Sequence, residues 1–229
     1  MLSRRSGGAS LRGLLDEWRS LLERFAIADS QIMATYQTIA HHYLHPDRAY
    51  HNLTHVAEVL QAIAQFSQPS DRSQLQDAHA NAEIDAALLF AVWFHDVIYD
   101  SKANDNEEKS AILAETVLTS LSISKTIVQT VQDLVLATKR HCANGNPLAE
   151  VLLDADLAIL GQSPDRYQAY ARAIRQEYAW VPDDAYGQGR GQVLQGFLQR
   201  DRLYYTAIAY QLYEQPARNN LLAELQMFN

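Results

Sequence analysis

The amino-acid sequence predicts an all-α protein. Apolar residues recur every three or four positions along almost the whole chain, which is the spacing of one face of a helix. Between Leu11 and Phe25, for example, leucine, tryptophan and phenylalanine side chains fall on a single predicted face. Alternating runs bounded by turn residues, which would indicate β-strands, are hard to find. Both observations favour a bundle of helices.

Ten helices follow from this pattern, and segments with helix-stopping residues separate them. The first five are predicted at 11–27, 29–45, 52–67, 82–98 and 105–121. Pro46 and Asp47 end the second helix, and the polar stretch 68–82 is expected to be a mobile loop. The segment Ala86–Phe94 is apolar on every side, so the fourth helix should lie in the centre of the core.

The second half of the chain continues the helical pattern. The other five helices are predicted at 123–141, 147–160, 164–179, 187–213 and 216–227. Breaks between them come from Asn144–Pro147, Gly161–Pro164 and Val181–Asp184, which contain residues that stop or cap helices. None of these breaks is long enough for an interdomain linker, so residues 1–229 are expected to form a single domain.

The composition limits the kinds of site that the chain can build. A length of 229 residues is enough to bury a large apolar core without disulfides. Cys142 is the only cysteine, so the chain has no internal disulfide and no cysteine pair for zinc. A single unpaired cysteine is typical of proteins in the reducing cytoplasm, where we expect this protein to be located. A bound metal must therefore be held by histidines and carboxylates.

The net charge excludes two classes of partner. A formal charge of −8 and a pI near 5.4 argue against nonspecific binding to nucleic acid or to an anionic membrane. The longest apolar run has nine residues, whereas about 20 are needed to span a bilayer. The surface composition permits either a monomer or a homodimer.

A histidine pair opens the first candidate site. His51 and His55 are four positions apart, so they face the same side if one helix contains both. Asn52 offers an alternative, because it can cap a helix that begins after His51. In isolation the pair is more typical of polar residues at the start of a helix, with their hydrogen bonds satisfied, so the rest of the sequence must decide.

A second pair, His95-Asp96, follows the apolar segment Ala86–Phe94. Burying a carboxylate there is costly unless a cation compensates its charge. A divalent ion held by Asp96 and the His95 imidazole would supply that compensation. The plainer alternative is a structural hydrogen bond between the two side chains.

Two aspartates form the last candidate group. Asp154 and Asp156 differ by about 200° around a helix, so only one of them can readily face a metal. Asp156 shares its face with leucine and isoleucine side chains and is the better ligand candidate, while Asp154 is expected to act behind it or as a cap.

Together, His55, His95, Asp96 and Asp156 make a mixed nitrogen and oxygen donor set. Such a set suits Mn, Fe, Mg, Ni or Zn and leaves room for water. A divalent ion of this kind activates water and polarises a phosphoryl oxygen. The sequence therefore predicts hydrolysis of a phosphoester.

The order His55, His95-Asp96, Asp156 resembles the H…HD…D signature of the HD superfamily of metal-dependent phosphohydrolases. The resemblance implies an HD-domain-like helical bundle with additional C-terminal helices. Over most of the chain the sequence is similar to predicted bacterial HD phosphohydrolases without an assigned substrate. The segments that carry this similarity are Tyr50–His55, Trp93–Asp100, Asp105–Ala111, Leu153–Leu157, Arg175–Tyr178, Gly189-Arg190, Leu198–Arg200 and Ala217–Asn219.

The stretch Tyr50–His55 is also similar to the start of the catalytic domain of cyclic nucleotide phosphodiesterases. That resemblance implies that His51 is a general acid, which donates a proton to the leaving oxygen, and that His55 binds metal. Tyr99 departs from the pattern, because those enzymes have a histidine there that helps to complete a two-metal site. The departure argues against a two-metal centre and against cyclic nucleotide specificity.

Two further residues are candidates for catalysis. His141 is predicted on a helix face that could look toward the site, and its place before Asp156 resembles an auxiliary histidine of many HD proteins. The alternative is an exposed histidine favoured by the helix dipole. Glu107 could orient water or hold a second ion, although a glutamate in a first helical turn needs no catalytic duty.

Five arginines are candidates for binding phosphate or carboxylate, because a guanidinium can contact two oxygens at once, although most of them are expected to be surface or salt-bridge residues. They are Arg48, Arg175, Arg190, Arg200 and Arg218. We expect a phosphomonoesterase or phosphodiesterase that acts on a small phosphorylated substrate resembling a nucleotide. The competing class is a noncatalytic sensor or interaction module that binds metal or a nucleotide.

Overall fold

Ten α-helices account for most of the residues that the computed structural model describes, which are 11–66 and 78–228. No strand is present in that part of the chain, which confirms the all-α prediction. The helices are α1 Leu11–Glu23, α2 Asp29–Tyr43, α3 Leu53–Phe66, α4 Ala78–Phe94, α5 Asn106–Ser120, α6 Lys125–Thr138, α7 Pro147–Asp156, α8 Pro164–Glu177, α9 Asp183–Leu198 and α10 Ala207–Leu225. Two short 3-10 helices cover Leu157–Gly161 and Gln226–Phe228.

Helix α4 is the centre of the core, as the run of apolar residues predicts. Its rings at Phe90, Trp93 and Phe94 are fully buried and surround Trp18 of α1 at centroid distances of 5.7, 5.3 and 6.1 Å, all edge-on. Edge-on packing places the positive rim of one ring against the negative face of another. The result fixes the carboxyl end of α4 deep inside the bundle.

The end of α4 differs from the prediction. The helix stops at Phe94, so His95 and Asp96 lie in the turn that follows it and not on the helix. The buried guanidinium of Arg48 donates to the carbonyls of Asp96 and Val97 at 2.6 and 2.8 Å. These contacts satisfy carbonyls beyond the end of the helix, so the chain can turn there without burying unpaired backbone groups.

The predicted single helix over 187–213 is wrong. The chain leaves the helix after Leu198 and enters α10 only at Ala207. In the intervening segment, Arg218 donates to the carbonyls of Leu198, Arg200 and Asp201, and the Glu214 carboxylate accepts the N–H groups of Leu203 and Tyr204. Side chains from α10 thus replace the backbone partners that a continuous helix would provide.

The predicted helix boundary near residue 216 is also wrong. Pro216 lies inside α10, which continues to Leu225. Proline removes the N–H that would bond to the Leu212 carbonyl. Both Pro216 and Leu212 are on the exposed side of the helix, where water can satisfy that carbonyl.

The predicted mobile loop at 68–82 lies mostly outside the described residues, and α4 already begins at Ala78. In the described ranges, no helix has the length and apolar character that a membrane crossing requires.

Helix α10 approaches the 3-10 helix Leu157–Gly161 closely at one glycine. A methyl group added to Gly161 would lie 2.5 Å from the Cβ and 2.8 Å from the Cα of Tyr213. Backbone atoms cannot move aside cheaply, so this contact requires glycine. The same approach holds the carboxyl end of α7 in place.

Replacing Gly161 with alanine should lower the free energy of unfolding by about 1–3 kcal/mol, because α10 must shift to admit the methyl group. Gly189 is the matched control, since it lies on the exposed side of α9 with nothing within 4 Å of its added Cβ. Gly189→Ala should raise stability by about 0.5–1 kcal/mol. Urea denaturation of both variants measures the difference, and equal effects would contradict the close approach.

Candidate metal centre

Four side chains from three parts of the chain meet in one cluster: His55, His95, Asp96 and Asp156. One donor atom from each lies within 4.8 Å of all the others. The Nε2 atoms of His55 and His95 are 3.1 Å apart. Both imidazoles are buried, while the two carboxylates are 21% and 14% exposed. The cluster is therefore closed on the histidine side and open to solvent on the aspartate side.

One oxygen of each aspartate contacts both imidazoles. Asp96 Oδ2 is 3.2 Å from His95 Nε2 and 3.5 Å from His55 Nε2. Asp156 Oδ1 is 3.2 Å from His55 Nε2 and 3.7 Å from His95 Nε2. The two carboxylates thus bracket a pair of nitrogen atoms, and all four donors point at a common centre.

Helix α3 positions His55 and leaves His51 outside. Asn52 accepts the N–H of Thr54 at 2.8 Å, and the helix begins at Leu53. The alternative in which Asn52 caps the helix is therefore the one that the structure adopts. His55 falls on the buried face of α3, beside Val56.

The tautomer of His95 is set by the backbone. Its Nδ1 lies 2.9 Å from the carbonyl oxygen of Val92, and a carbonyl can only accept, so Nδ1 carries the proton. In the neutral ring the Nε2 lone pair is then directed at the centre of the cluster. A backbone carbonyl behind the ring is a common way to orient a metal-binding histidine.

The charges of the four groups are strongly coupled. Burial alone would lower the pKa of His95, but Asp96 and Asp156 outweigh burial and raise it well above its ordinary value. Burial likewise opposes a charge on His55, yet hydrogen bonds to the same carboxylates raise its pKa. Desolvation would raise the pKa of Asp96, but the neighbouring histidines lower it strongly. The carboxylates thus require positive charge nearby.

A divalent cation fits this donor set. Two Nε2 atoms at 3.1 Å cannot both carry protons directed at each other, whereas a cation between them accepts both lone pairs and neutralises two carboxylates. Two nitrogens and two oxygens without thiolate match the ions Mn, Fe, Mg, Ni and Zn that the sequence predicts.

Asp154 and Asp156 have separate places, as their angular difference predicts. The fully buried Asp154 carboxylate accepts the N–H groups of Tyr205 and Thr206 at 2.8 and 2.7 Å, immediately before α10. Asp156 alone joins the cluster. Asp154 therefore holds the backbone that leads into α10, but it caps neither that helix, whose N-cap is Thr206, nor α7.

His141 contacts the outer side of the cluster. Its Nε2 lies 3.2 Å from Asp156 Oδ2, the oxygen that does not face the two buried histidines. The predicted helix over 123–141 ends earlier, at Thr138. His141 is thus neither on the helix nor directed away into solvent, although its side chain is 28% exposed.

The backbone at His141 is in the left-handed region, with φ of 47°. Its N–H bonds to the Thr138 carbonyl, and the N–H of Cys142 reaches the Ala137 carbonyl. This pattern is a Schellman motif, which normally has glycine at the left-handed position. A histidine there bears the strain of its Cβ and gains the contact with Asp156.

His51 is held beside the cluster by Glu177, which the sequence reasoning did not assign to the site. Glu177 Oε2 is 2.7 Å from His51 Nδ1, and Oε1 accepts the N–H groups of Tyr50 and His51 at 2.7 and 2.9 Å. Tyr99 stacks on the His51 ring at a centroid distance of 4.1 Å. The ring therefore has a fixed position and orientation.

Arg48 joins the two turns that carry these residues. Besides the carbonyls of Asp96 and Val97, its guanidinium binds the His51 carbonyl at 3.0 Å. The Tyr43 ring lies 5.0 Å from the guanidinium carbon, within range of a cation–π interaction. Arg48 is thus a structural clamp between the His51 turn and the Asp96 turn, and not the phosphate ligand that the sequence suggests.

The other arginines proposed for phosphate also have protein partners. Arg175 and Arg200 bind backbone carbonyls, while Arg190 and Arg218 pair with Glu224 and Glu214. Glu107 lies half-buried in the first turn of α5, outside the group of four donors. Its predicted catalytic role stays a prediction.

Comparison with known proteins adds no assignment. No protein-family model matches the chain, and no curated protein is significantly similar to it.

The strain at His141 leads to a prediction about stability. His141→Gly and His141→Ala both remove the imidazole, but only glycine adopts the left-handed conformation without cost. The glycine variant should be more stable than the alanine variant by about 1 kcal/mol, measured on metal-free protein by urea denaturation. Inside a helix, alanine is more stabilising than glycine. Greater stability of the alanine variant at position 141 would therefore contradict the Schellman geometry.

The raised pKa values of His55 and His95 predict that metal binding releases protons. The raised pKa values keep a proton on the histidine pair, and the 3.1 Å between the two Nε2 atoms has room for only one proton between them. A metal needs both lone pairs, so about one proton should leave at pH 7. Affinity should weaken as the pH falls. Calorimetry in buffers of different ionisation enthalpy counts the protons, and Asp133→Asn, a change on the exposed side of α6, should leave the count unchanged. A count of zero would mean that both rings are already neutral.

Proposed function

We propose that this protein is a metal-dependent phosphohydrolase that acts on a small phosphoester. The observation that carries the proposal is the convergence of four buried or half-buried donors next to an oriented histidine that is not one of them. Their order along the chain also matches the H…HD…D pattern of the resemblance described above. A structural role alone would not require two imidazoles and two carboxylates to share one centre.

His55, His95, Asp96 and Asp156 would hold the ion. A divalent ion there would lower the pKa of a bound water and draw electron density from a phosphoryl oxygen. The open aspartate side of the cluster gives a phosphoester access, since the histidine side is closed by the core. The substrate would therefore approach on the side of Asp156, whose carboxylate lines a cavity.

His51 is suited to deliver a proton to the leaving oxygen. Glu177 accepts the Nδ1 proton of His51, so the protonated ring carries its second, transferable proton at Nε2 on the other side. The ring centroid is 5.9 Å from that of His55, which leaves a reacting group within reach of both. Because Glu177 also binds two N–H groups of the same turn, it sets both the orientation and the position of the acid.

His141 would position one of the metal ligands. It holds Asp156 Oδ2, so that Oδ1 stays directed at the ion. Being partly exposed, its ring can also contact an oxygen of the phosphoryl group. His141 is in this proposal a positioning residue for Asp156.

Metal content and turnover test the proposal together. We expect about one divalent ion per chain in protein purified without chelator, and metal-dependent release of phenol from an aryl phosphoester. Asp96→Asn should lose both the ion and turnover. Asp133→Asn is the control, since it removes one negative charge from the exposed side of α6 and should keep the ion.

The role of His51 appears in the same assay. His51→Gln should keep the ion and lose roughly 10²–10⁴-fold in turnover of esters with poor leaving groups, with a smaller loss for 4-nitrophenyl esters, which need no proton. An equal loss for both would argue against proton donation. A native protein that binds the ion but turns over no phosphoester would instead favour a noncatalytic sensor.

A further inference from the structure

A cavity of about 550 Å³ begins at the metal centre and extends away from it. His55 and Asp156 form its inner end, so a molecule in the cavity would contact the site directly. The volume is that of a small-molecule pocket. Its walls come from α3, the end of α7, the 3-10 helix that follows, the start of α8, and α10.

One wall of the cavity is apolar. The small side chains Ala62, Ala155 and Ala158 lie beside Val59 and Ile159, and all five are buried in the core. Such a surface packs against a flat or apolar part of a ligand, and the release of water from it favours binding.

The rim of the cavity is polar but uncharged over most of its length. It carries the amides of Gln61, Gln65 and Gln162 and the hydroxyl of Tyr213, which donates to Gln65 Oε1 at 3.1 Å. An amide side chain both donates and accepts hydrogen bonds. These groups match hydroxyl, amide or ring-nitrogen substituents on a ligand.

Two charged side chains line the cavity besides the metal ligands, and they are bound to each other. Arg166 of α8 forms an ion pair with Glu58 of α3. Their charges cancel, so the cavity presents no net positive charge beyond the metal centre. A second anionic group on a ligand would have to compete with Glu58 for Arg166 and would leave the Glu58 carboxylate beside it.

We infer that the substrate carries one phosphoryl group on an uncharged, hydrogen-bonding group, and that Glu58 excludes substrates with a second anionic group by neutralising Arg166. The inference rests on the proposed function for the position of the phosphoryl group. It adds a specificity-determining residue that lies outside the metal centre. Diphosphates and phosphorylated carboxylic acids should be poor ligands.

Two phosphonates test the inference without any need for turnover. They are 4-carbamoylbenzylphosphonate and 4-carboxybenzylphosphonate, which have the same shape and differ in one negative charge. Binding to the metal-loaded protein is measured by calorimetry. The native protein should bind the amide about tenfold more tightly than the carboxylate.

Variants of the ion pair should move this ratio in opposite directions. Glu58→Gln frees Arg166 for the carboxylate and should lower the ratio about tenfold, whereas Arg166→Gln leaves Glu58 unpaired and should raise it. The pair is partly exposed, so neither change should unfold the protein. Glu115→Gln, the same charge change on an exposed residue of α5, should leave the ratio unaltered.

The inference is overturned if the native protein binds both phosphonates equally, if it binds neither, or if both substitutions shift the ratio the same way. Turnover of 4-nitrophenyl phosphate is measured on the same samples. Selective binding of the amide without any turnover would refute the phosphohydrolase and leave the selectivity of the cavity standing.

Discussion

The structure depends on the charge balance among two carboxylates and two imidazoles at the centre of a helical bundle. Asp96 and Asp156 are largely removed from water, and each contacts both His55 and His95. Bare carboxylates would be costly in this position, so either protons on the imidazoles or a bound cation must compensate them. The cluster lies at the ends of three helices: His55 is in the first turn of α3, His95 and Asp96 follow α4, and Asp156 is the last residue of α7.

Buried polar side chains hold the segments at those helix ends in place. Arg48, Glu177 and Asp154 each bind two or more backbone groups in a segment distant in sequence, and all three are buried. A buried residue of this kind replaces several missing backbone hydrogen bonds at once. The irregular segments are therefore as firmly defined as the helices, which is what a site with sub-ångström demands requires.

The helices and the four donors could be predicted from sequence because their signals are local. Periodicity marks a helix from its own residues, and an apolar run followed by His95-Asp96 places a charge beside a core. The break after Leu198 and the role of Glu177 could not be predicted, because both depend on hydrogen bonds between residues far apart in the chain. Arg48 illustrates the same limit, since its sequence context does not distinguish a ligand for phosphate from a ligand for carbonyls.

Helix α8 contributes to two places at once. Arg166 lies near its first turn and faces the cavity, while Glu177 is its last residue and holds His51. Eleven residues separate them, which corresponds to about 16 Å of rigid rod. If α8 moved along its axis, Arg166 and Glu177 would move together. A ligand that displaced Arg166 in the cavity would then also shift Glu177, and with it the position of the His51 ring.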